Sequence, residues 1–453
     1  MNYTWNFKPL PPQATVIQLQ QELNISDPLA ILLAQRGITT FQQAKDFFRP
    51  TLSQLHNPFL MKGMKEAVTR LDHALKNNET ILIYGDYDVD GTSAVSLMER
   101  YLSTFTSKLH TYVPDRYTEG YGISFQGIDY AEAQGCTLII ALDCGIKAID
   151  KVQYAKEKGI DFIIADHHRP SDQVPDAVAV LDPQQADCPY PYKELCGCGL
   201  GFKLAQAYHE YLQRPFSELM PLLDLVAVAT AADIVPMNGE NRTLMYFGLE
   251  VINQQPSAGV KALFGEHQGA ITVSDVVFKA APRINAAGRI ENGKYAVALL
   301  TETSTEQALQ KAKQIDELNS ERKELDSYIA EQALGQIESN GEQNRYTSVV
   351  LNEEWHKGVI GIVASRLIEH YYRPTIVFTK SGDKYAASAR SVQGFDIYEA
   401  LEQCSQYLEQ FGGHKYAAGL TLLPEQYPFF KEAFETVVKQ TINPELRTPK
   451  LSI

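Results

Sequence analysis

Three times between residues 81 and 168, a short apolar run is released directly onto an acid, and this repetition limits the folds open to the chain more than any other feature. The first run, Ile81 to Tyr84, passes through Gly85 to Asp86, Asp88 and Asp90 in the stretch GDYDVDG. The second, Thr137 to Leu142, ends on Asp143 with Gly145 just beyond, and the third, Phe162 to Ala165, ends on Asp166, His167 and His168. Uninterrupted apolar runs of this length are expected of strands buried on both faces, as in a parallel sheet. Between them, residues 91–103 place Val95, Met98 and Leu102 on one helical face, and AIDKVQYAKEKG reads as a second helix. Alternating strands and helices predict an α/β fold whose strands share one carboxyl rim, where such sheets hold ligands.

Acids at alternate positions repel one another. At about 4 Å and an effective dielectric near 20, each pair opposes folding by roughly 4 kcal/mol before screening. A single acidic turn can leave its charges to solvent, but three strand ends with a histidine among them predict a divalent cation, bound singly or as a pair. Carboxylate and imidazole donors suit Mn²⁺ or Mg²⁺. A zinc site is not expected. Cys136, Cys144, Cys188, Cys196, Cys198 and Cys404 are scattered, and the Cys196–Cys198 pair lacks both the usual loop and a second pair downstream. The apolar run Leu225 to Ala232 also ends on an acid, and the same strand-end logic favours Asp233 over Asp224 as a further site residue.

At 453 residues the chain is too long for one core. The expected division is a helical N-terminal region (1–75), a metal-binding domain (76–302), a connector helix (303–340), a second α/β domain (341–442) and a tail (443–453). Ala308, Ala312, Ile315, Leu318, Leu325, Ile329, Ala333 and Ile337 recur at three- and four-residue steps and support one long connector helix rather than a coiled coil. No apolar run approaches the length of a membrane span, and the N-terminus has no signal-peptide core, so a cytoplasmic protein with no membrane partner is expected. A net charge of −14 argues against coating nucleic acid through the whole surface, although bound cations could make a local channel attractive to it.

In the second α/β domain, Ser348–Leu351, Thr375–Phe378 and Lys384–Ala389 read as strands and Val359–His370 as a helix that follows Gly358. Glycines at 358 and 361 are expected to leave backbone N–H groups accessible at that helix start, and Ser388, Arg390 and Ser391 offer a guanidinium with hydroxyls, a combination suited to phosphate. Gly412, Gly413 and His414 read as a turn that lets a phosphodiester backbone approach. Each of these has an ordinary structural reading when taken alone.

The ordered blocks GDYDVDG, ALDCG, ADHH, ATAADIVP, GENR, APRINAAGRI, EWHKGVIGIVASRL, SARSVQGFDI and GGHKYAAG extend from about residue 80 to about residue 420. They resemble the DHH phosphoesterase superfamily, and within it the RecJ-type single-stranded-DNA exonucleases. The resemblance implies a parallel-sheet DHH domain joined by a long helix to a smaller α/β DHHA1 domain. It implies Asp86, Asp88, Asp143, His167 and Asp233 as ligands of two Mn²⁺ or Mg²⁺ ions, with His168 facing the scissile phosphate. Asp88 and Asp143, central on the rim, are the candidates to bridge. Many superfamily members carry a histidine where this chain has Leu82, so Asp90 either replaces that ligand or, like Asp166, stands behind the others. Arg116, Ser388 and Arg390 would hold a 5′-terminal phosphate, with Gly412, Gly413 and His414 lining the substrate.

The implied activity is 5′ to 3′ removal of mononucleotides from single-stranded DNA in recombination and repair, by a monomer working with a helicase and a single-strand-binding protein. A phosphodiesterase for short oligoribonucleotides or dinucleotides, and a non-catalytic DNA-binding scaffold, are the alternatives. RecJ-like proteins commonly continue into an OB-type domain, whereas this sequence stops at PELRTPKLSI, and that domain is expected to be absent.

Overall fold

The computed structural model describes residues 3–453 and divides into two compact units, Thr39–Asn319 and a second unit of residues up to Ile38 together with Ser320–Ile453. In chain order the strands are β1 (Thr4–Asn6), β2 (Thr80–Gly85), β3 (Leu109–Tyr112), β4 (Cys136–Leu142), β5 (Asp161–Ala165) and β6 (Ala179–Leu181). They continue as β7 (Ser348–Leu351), β8 (Thr375–Ser381), β9 (Lys384–Arg390), β10 (Gln410–His414), β11 (Ala417–Leu422) and β12 (Lys450–Ser452).

The first unit is built on a five-stranded sheet in the order β3-β2-β4-β5-β6, with every pairing parallel. Its three central strands are the three apolar runs, and each is buried on both faces. Ile81, Ile83, Leu138, Ile140, Leu142 and Ile163 enter one core cluster, while Leu82, Tyr84, Ile139, Ala141, Phe162 and Ile164 enter another. Alternate side chains thus feed opposite faces, which is why no polar residue interrupts the runs. The Met64–Lys76 helix packs Met64, Ala67, Val68, Leu71 and Ala74 into the first of these clusters at helical spacing.

The sheet of the second unit runs β10-β11-β9-β8-β7, and only the β7–β8 pair is parallel. The Ile360–His370 helix joins that pair, and Val349, Ile376, Phe378, Phe430 and Phe434 lie in the core. One helix runs unbroken over Thr305–Ser339, with Ala308, Ala312, Ile315, Ile329, Ala333 and Ile337 buried.

Several elements differ from the sequence expectation. The Leu225–Ala232 run is a helix, Leu223–Ala232, not a strand; residues 223–231 are all buried, and burial on every side erases the period that separates the two. The segment containing Gly412, Gly413 and His414 is strand β10, paired with β11, and not a turn. The N-terminal region is helical, as expected, in Gln13–Leu23, Asp27–Ala34, Phe41–Phe48 and Met64–Lys76, while the part up to Ile38 groups with the second unit and β1 pairs in parallel with β12. Among the described residues no helix is long and apolar enough to cross a membrane.

Candidate metal centre

The carboxyl ends of β2, β4 and β5 deliver their acids to one place, and glycines make the approach close enough. A Cβ on Gly85 would lie 2.4 Å from Val95 Cγ2, and one on Gly91 would lie 2.5 Å from the Asp86 carbonyl oxygen. Strand and helix meet here with no room for a methyl group. Asp88 caps the Val89–Leu102 helix by accepting from Gly91 N at 3.1 Å. Asp143 leaves β4 with φ 60°, in the left-handed region that an aspartate occupies only when its surroundings hold it there. Asp233 arrives from the C-terminal cap of the Leu223–Ala232 helix.

His167 Nε2 is the hub. It lies 3.2 Å from Asp143 Oδ1, 3.6 Å from Asp233 Oδ2 and 3.9 Å from Asp90 Oδ2. Both carboxylate oxygens of Asp86, together with Asp143 Oδ1, Asp233 Oδ2 and His167 Nε2, are buried without any hydrogen-bond partner. Such groups are costly to bury. Burial, and then the charge of Asp88, push the Asp86 carboxyl up to about 8. Burial and the charges of Asp90 and Asp88 likewise raise Asp233 to about 8, and Asp143 is held well above the usual carboxylate range by burial and the acids around it. Burial lowers His167, which keeps its imidazole neutral and able to donate a lone pair. Asp143, His167 and His168 bring ligand atoms within 4.8 Å of one another, as do Asp90, His167 and Asp233; these two sets, which share His167, fit divalent cations, and Asp86 and Asp88 stand outside both.

Asp90 and Asp166 are occupied elsewhere. Gly197 N and Cys198 N donate to the two Asp90 oxygens at 2.6 and 2.8 Å, so Asp90 anchors the start of the Gly197–Tyr211 helix while bordering His167. Gly197 is required at that contact: a Cβ there would lie 2.4 Å from Asp143 Cβ. Asp166 accepts from Ile146 N at 2.9 Å and from His168 Nδ1 at 2.7 Å. Burial alone would lower His168, but the Asp166 carboxylate outweighs it and lifts the imidazole to about 9. His168 is therefore a cation at neutral pH, with Nε2 directed to the Tyr121 hydroxyl at 3.1 Å and a cavity of about 230 Å³ beside it.

Three participants were not anticipated. Tyr121 lies in the loop after β3, which Tyr84 steadies by donating to Gly122 O at 2.9 Å. The backbone of Gly197 and Cys198 belongs to the CGC stretch weighed above only as a metal ligand. Asp182 is a fourth strand-end acid, fully buried after β6 and pushed up to about 7 by burial. Asp224 is remote in role, tied to Arg100 Nη1 at 3.1 Å and Ser257 N at 2.9 Å.

The expected phosphate-binding residues fall in both units. Arg116, in the first, stacks 4.1 Å from the Tyr87 ring centre and tempers the rise of Asp86. In the second, the register Arg390–Ala417–His414 and, two residues along, Ser388–Gly419–Gly412 put Ser388, Arg390, Gly412 and His414 on one sheet face. Gly413, one residue out of step, lies on the other. Arg390 Nη1 donates to Ser388 Oγ at 3.0 Å, and Gly361 lies close enough that a Cβ there would meet Ser388 Oγ at 2.9 Å. A Cβ on Gly412 or Gly419 would meet nothing within 4 Å, so this face is open.

The family models of the "DHH family, N-terminal domain" and the "DHHA1 domain" match residues 80–230 and 343–440. The single-stranded-DNA-specific exonuclease RecJ of Escherichia coli is 34% identical over 438 residues, covering 92% of this chain and 75% of the relative. The chain belongs to the RecJ family. The RecJ of Bacillus subtilis is 40% identical over 440 residues, and the match spans 96% of this chain but 55% of that relative. The crystal structure of RecJ from Thermus thermophilus in complex with Mn²⁺ superposes with a TM-score of 0.86 at 28% identity, covering all of this chain and 64% of the other. The chain thus spans little more than half the length of some RecJ relatives. The α/β architecture with a separate second sheet agrees with the RecJ fold.

Proposed function

We propose that this chain is a metal-dependent 5′ to 3′ exonuclease that releases 5′-mononucleotides from single-stranded DNA. The observation that carries the proposal is that unpartnered Asp86, Asp143 and His167 at strand ends, with unpartnered Asp233 at a helix end, occur in a RecJ-family chain. Asp86, Asp88, Asp143, His167 and Asp233 would hold two divalent cations, Mn²⁺ or Mg²⁺; the relative from Thermus thermophilus is described with Mn²⁺. When bound, the cations polarise the scissile phosphate and acidify a water.

The protein's own groups do the rest. His168, cationic through Asp166, donates from Nε2 to a non-bridging phosphate oxygen and stabilises the charge that builds there. Substrate must then replace the Tyr121 hydroxyl at that nitrogen. Arg116 in the first unit, and Ser388 with Arg390 in the second, are each suited to hold a phosphate of the strand, while the bare glycines beside Ser388 let its backbone approach. Asp90 and Asp166 keep the helix start and His168 in place and touch no substrate. An enzyme confined to single strands depends on other activities to open duplex, so a cytoplasmic monomer supplied by a helicase and a single-strand-binding protein, acting in recombination and repair, completes the proposal.

The test is Mn²⁺-dependent digestion of 5′-labelled single-stranded DNA beside its duplex and an RNA dinucleotide, with Asp143→Ala as control. Labelled mononucleotide from the single strand alone is expected. Hydrolysis of the dinucleotide alone would move the chain to small substrates, and binding without cleavage would make it a scaffold.

A further inference from the structure

The second unit holds a cavity of about 300 Å³ lined by Arg345, Arg373, Arg447, His370, Tyr371 and Tyr372, among others, and it shares no lining residue with the Ser388, Arg390 and His414 face. Arg373 is 5% exposed, and its bonded partners are all neutral. Nε donates to Ser348 Oγ at 2.7 Å, and Nη1 to the carbonyls of Gln343 and Arg345 at 3.0 and 2.7 Å. Nη2 is buried with no acceptor. Arg345 is already paired with Glu342 and Glu432, but among the described residues no carboxylate forms an ion pair with Arg373 or Arg447. Arg447 instead stacks 3.9 Å from the Tyr346 ring centre, and Arg373 lies 4.6 Å from that of Tyr371. Burial lowers the Arg373 pKa, and the charges of Glu435 and Glu342, close by but not bonded to it, only partly offset that.

A buried guanidinium bonded only to neutral acceptors, with one nitrogen unpaired, is an incompletely compensated cost. An anion in the adjoining cavity would supply the missing charge. In a chain of net charge −14, guanidinium groups gathered around one cavity stand against the overall field. Planar forks recognise phosphate oxygens in pairs, and neighbouring tyrosine rings suit the sugar and base that accompany them.

We infer that this cavity is a second phosphate-binding site, taking the phosphate ester of a nucleotide or of a nucleic acid strand. The residues alone carry the phosphate chemistry; that the strand is single-stranded DNA rests on the function proposed above.

The test uses the full chain in EDTA, where binding is read without cleavage. Labelled single-stranded DNA is titrated by fluorescence anisotropy at several salt concentrations, and inorganic phosphate and 5′-dAMP are added as competitors. Arg447→Gln, at an exposed position, should weaken DNA binding roughly fivefold and reduce the salt slope by about 0.7, the share of one phosphate contact on a single strand. Arg447→Glu should weaken it further. If the natural ligand is a free nucleotide, the variants will instead lose direct binding of 5′-dAMP, read by calorimetry, while DNA binding holds, and the site stands. His370→Gln, at another residue lining the cavity, repeats the test should either Arg447 variant melt early. Wild-type affinities for DNA, phosphate and 5′-dAMP in all three variants would overturn the inference, as would a loss confined to binding of an acidic peptide. A chain that binds through Arg447 yet never cleaves would refute the proposed nuclease and leave the pocket standing.

Discussion

At the strand ends of the first unit, Asp86, Asp90, Asp143 and Asp166 are buried together around His167, whereas the sheet face of the second unit presents Ser388, Arg390 and His414 beside glycines that touch nothing. The first region is crowded, anionic and fixed by contacts that leave no room for a methyl group. The second is open, with its guanidinium held through Ser388 Oγ and a backbone carbonyl. Groups that must share a cation have to be held against their mutual repulsion, and the packing around Gly91 and Gly197 does this. Groups that meet a flexible strand need access more than rigidity.

Changes at the two regions should therefore fail in different ways. The largest effect is expected from Asp143→Ala, which should reduce cleavage by more than about 10³-fold and abolish tight Mn²⁺ binding by calorimetry. Its melting temperature in EDTA should not fall, because a repelling buried carboxylate has been removed. A marked loss of metal-free stability would show that Asp143 is chiefly a packing residue and break the contrast.

Gly197→Ala tests the crowding itself. The added methyl presses on Asp143 and shifts the helix start that binds Asp90, so metal affinity should drop about 10- to 100-fold while Arg390-dependent DNA binding is unchanged. Equal losses in both would mean the two regions are less independent than proposed.

Arg390→Ala should raise KM for single-stranded DNA about tenfold, with kcat and Mn²⁺ affinity near wild type, since it removes a charge-assisted contact made in ground and transition states alike. A fall in kcat alone would place Arg390 in the chemistry.

The smallest effect is on pH. Asp86 and Asp233, at about 8 in the folded chain against an ordinary 3.8, hold protons that the unfolded chain has already released. The metal-free protein should therefore lose stability as pH rises from about 4 toward 8, since the folded state binds more protons across that window. Mn²⁺ displaces those protons, so its affinity should rise over the same range. Melting curves with and without Mn²⁺ would show the two slopes diverging; parallel curves would mean the carboxylates do not bind the cation.

The rim of acids was legible because strands buried on both faces leave unbroken apolar runs, and their ends are marked by the first charge. Burial on every side also misled, since Leu223–Ala232 is as apolar as a strand and only its packing shows it to be a helix. Asp90 could not be resolved from sequence: its partners Gly197 and Cys198 are local to it only in space. Asp182 was missed because β6 is three residues long, too short for a pattern. Gly412 and Gly413 suggested a turn by composition, yet pairing with β11 makes them strand, and it is the absence of side chains at Gly412 and Gly419 that leaves the face bare.

The parallel pairing of Thr4 with Lys450 and Trp5 with Leu451 has a consequence for how the chain is made. Every residue of the first unit leaves the ribosome before β12 does, so that unit can close around its sheet during synthesis. Strand β1, translated ahead of the first unit, must wait for β12, which follows that unit, before it finds its partner. At about 5–20 residues per second the wait is on the order of tens of seconds. During that time the backbone N–H and C=O groups of β1 are an unpaired edge on a nascent chain, which makes this segment dependent on chaperones.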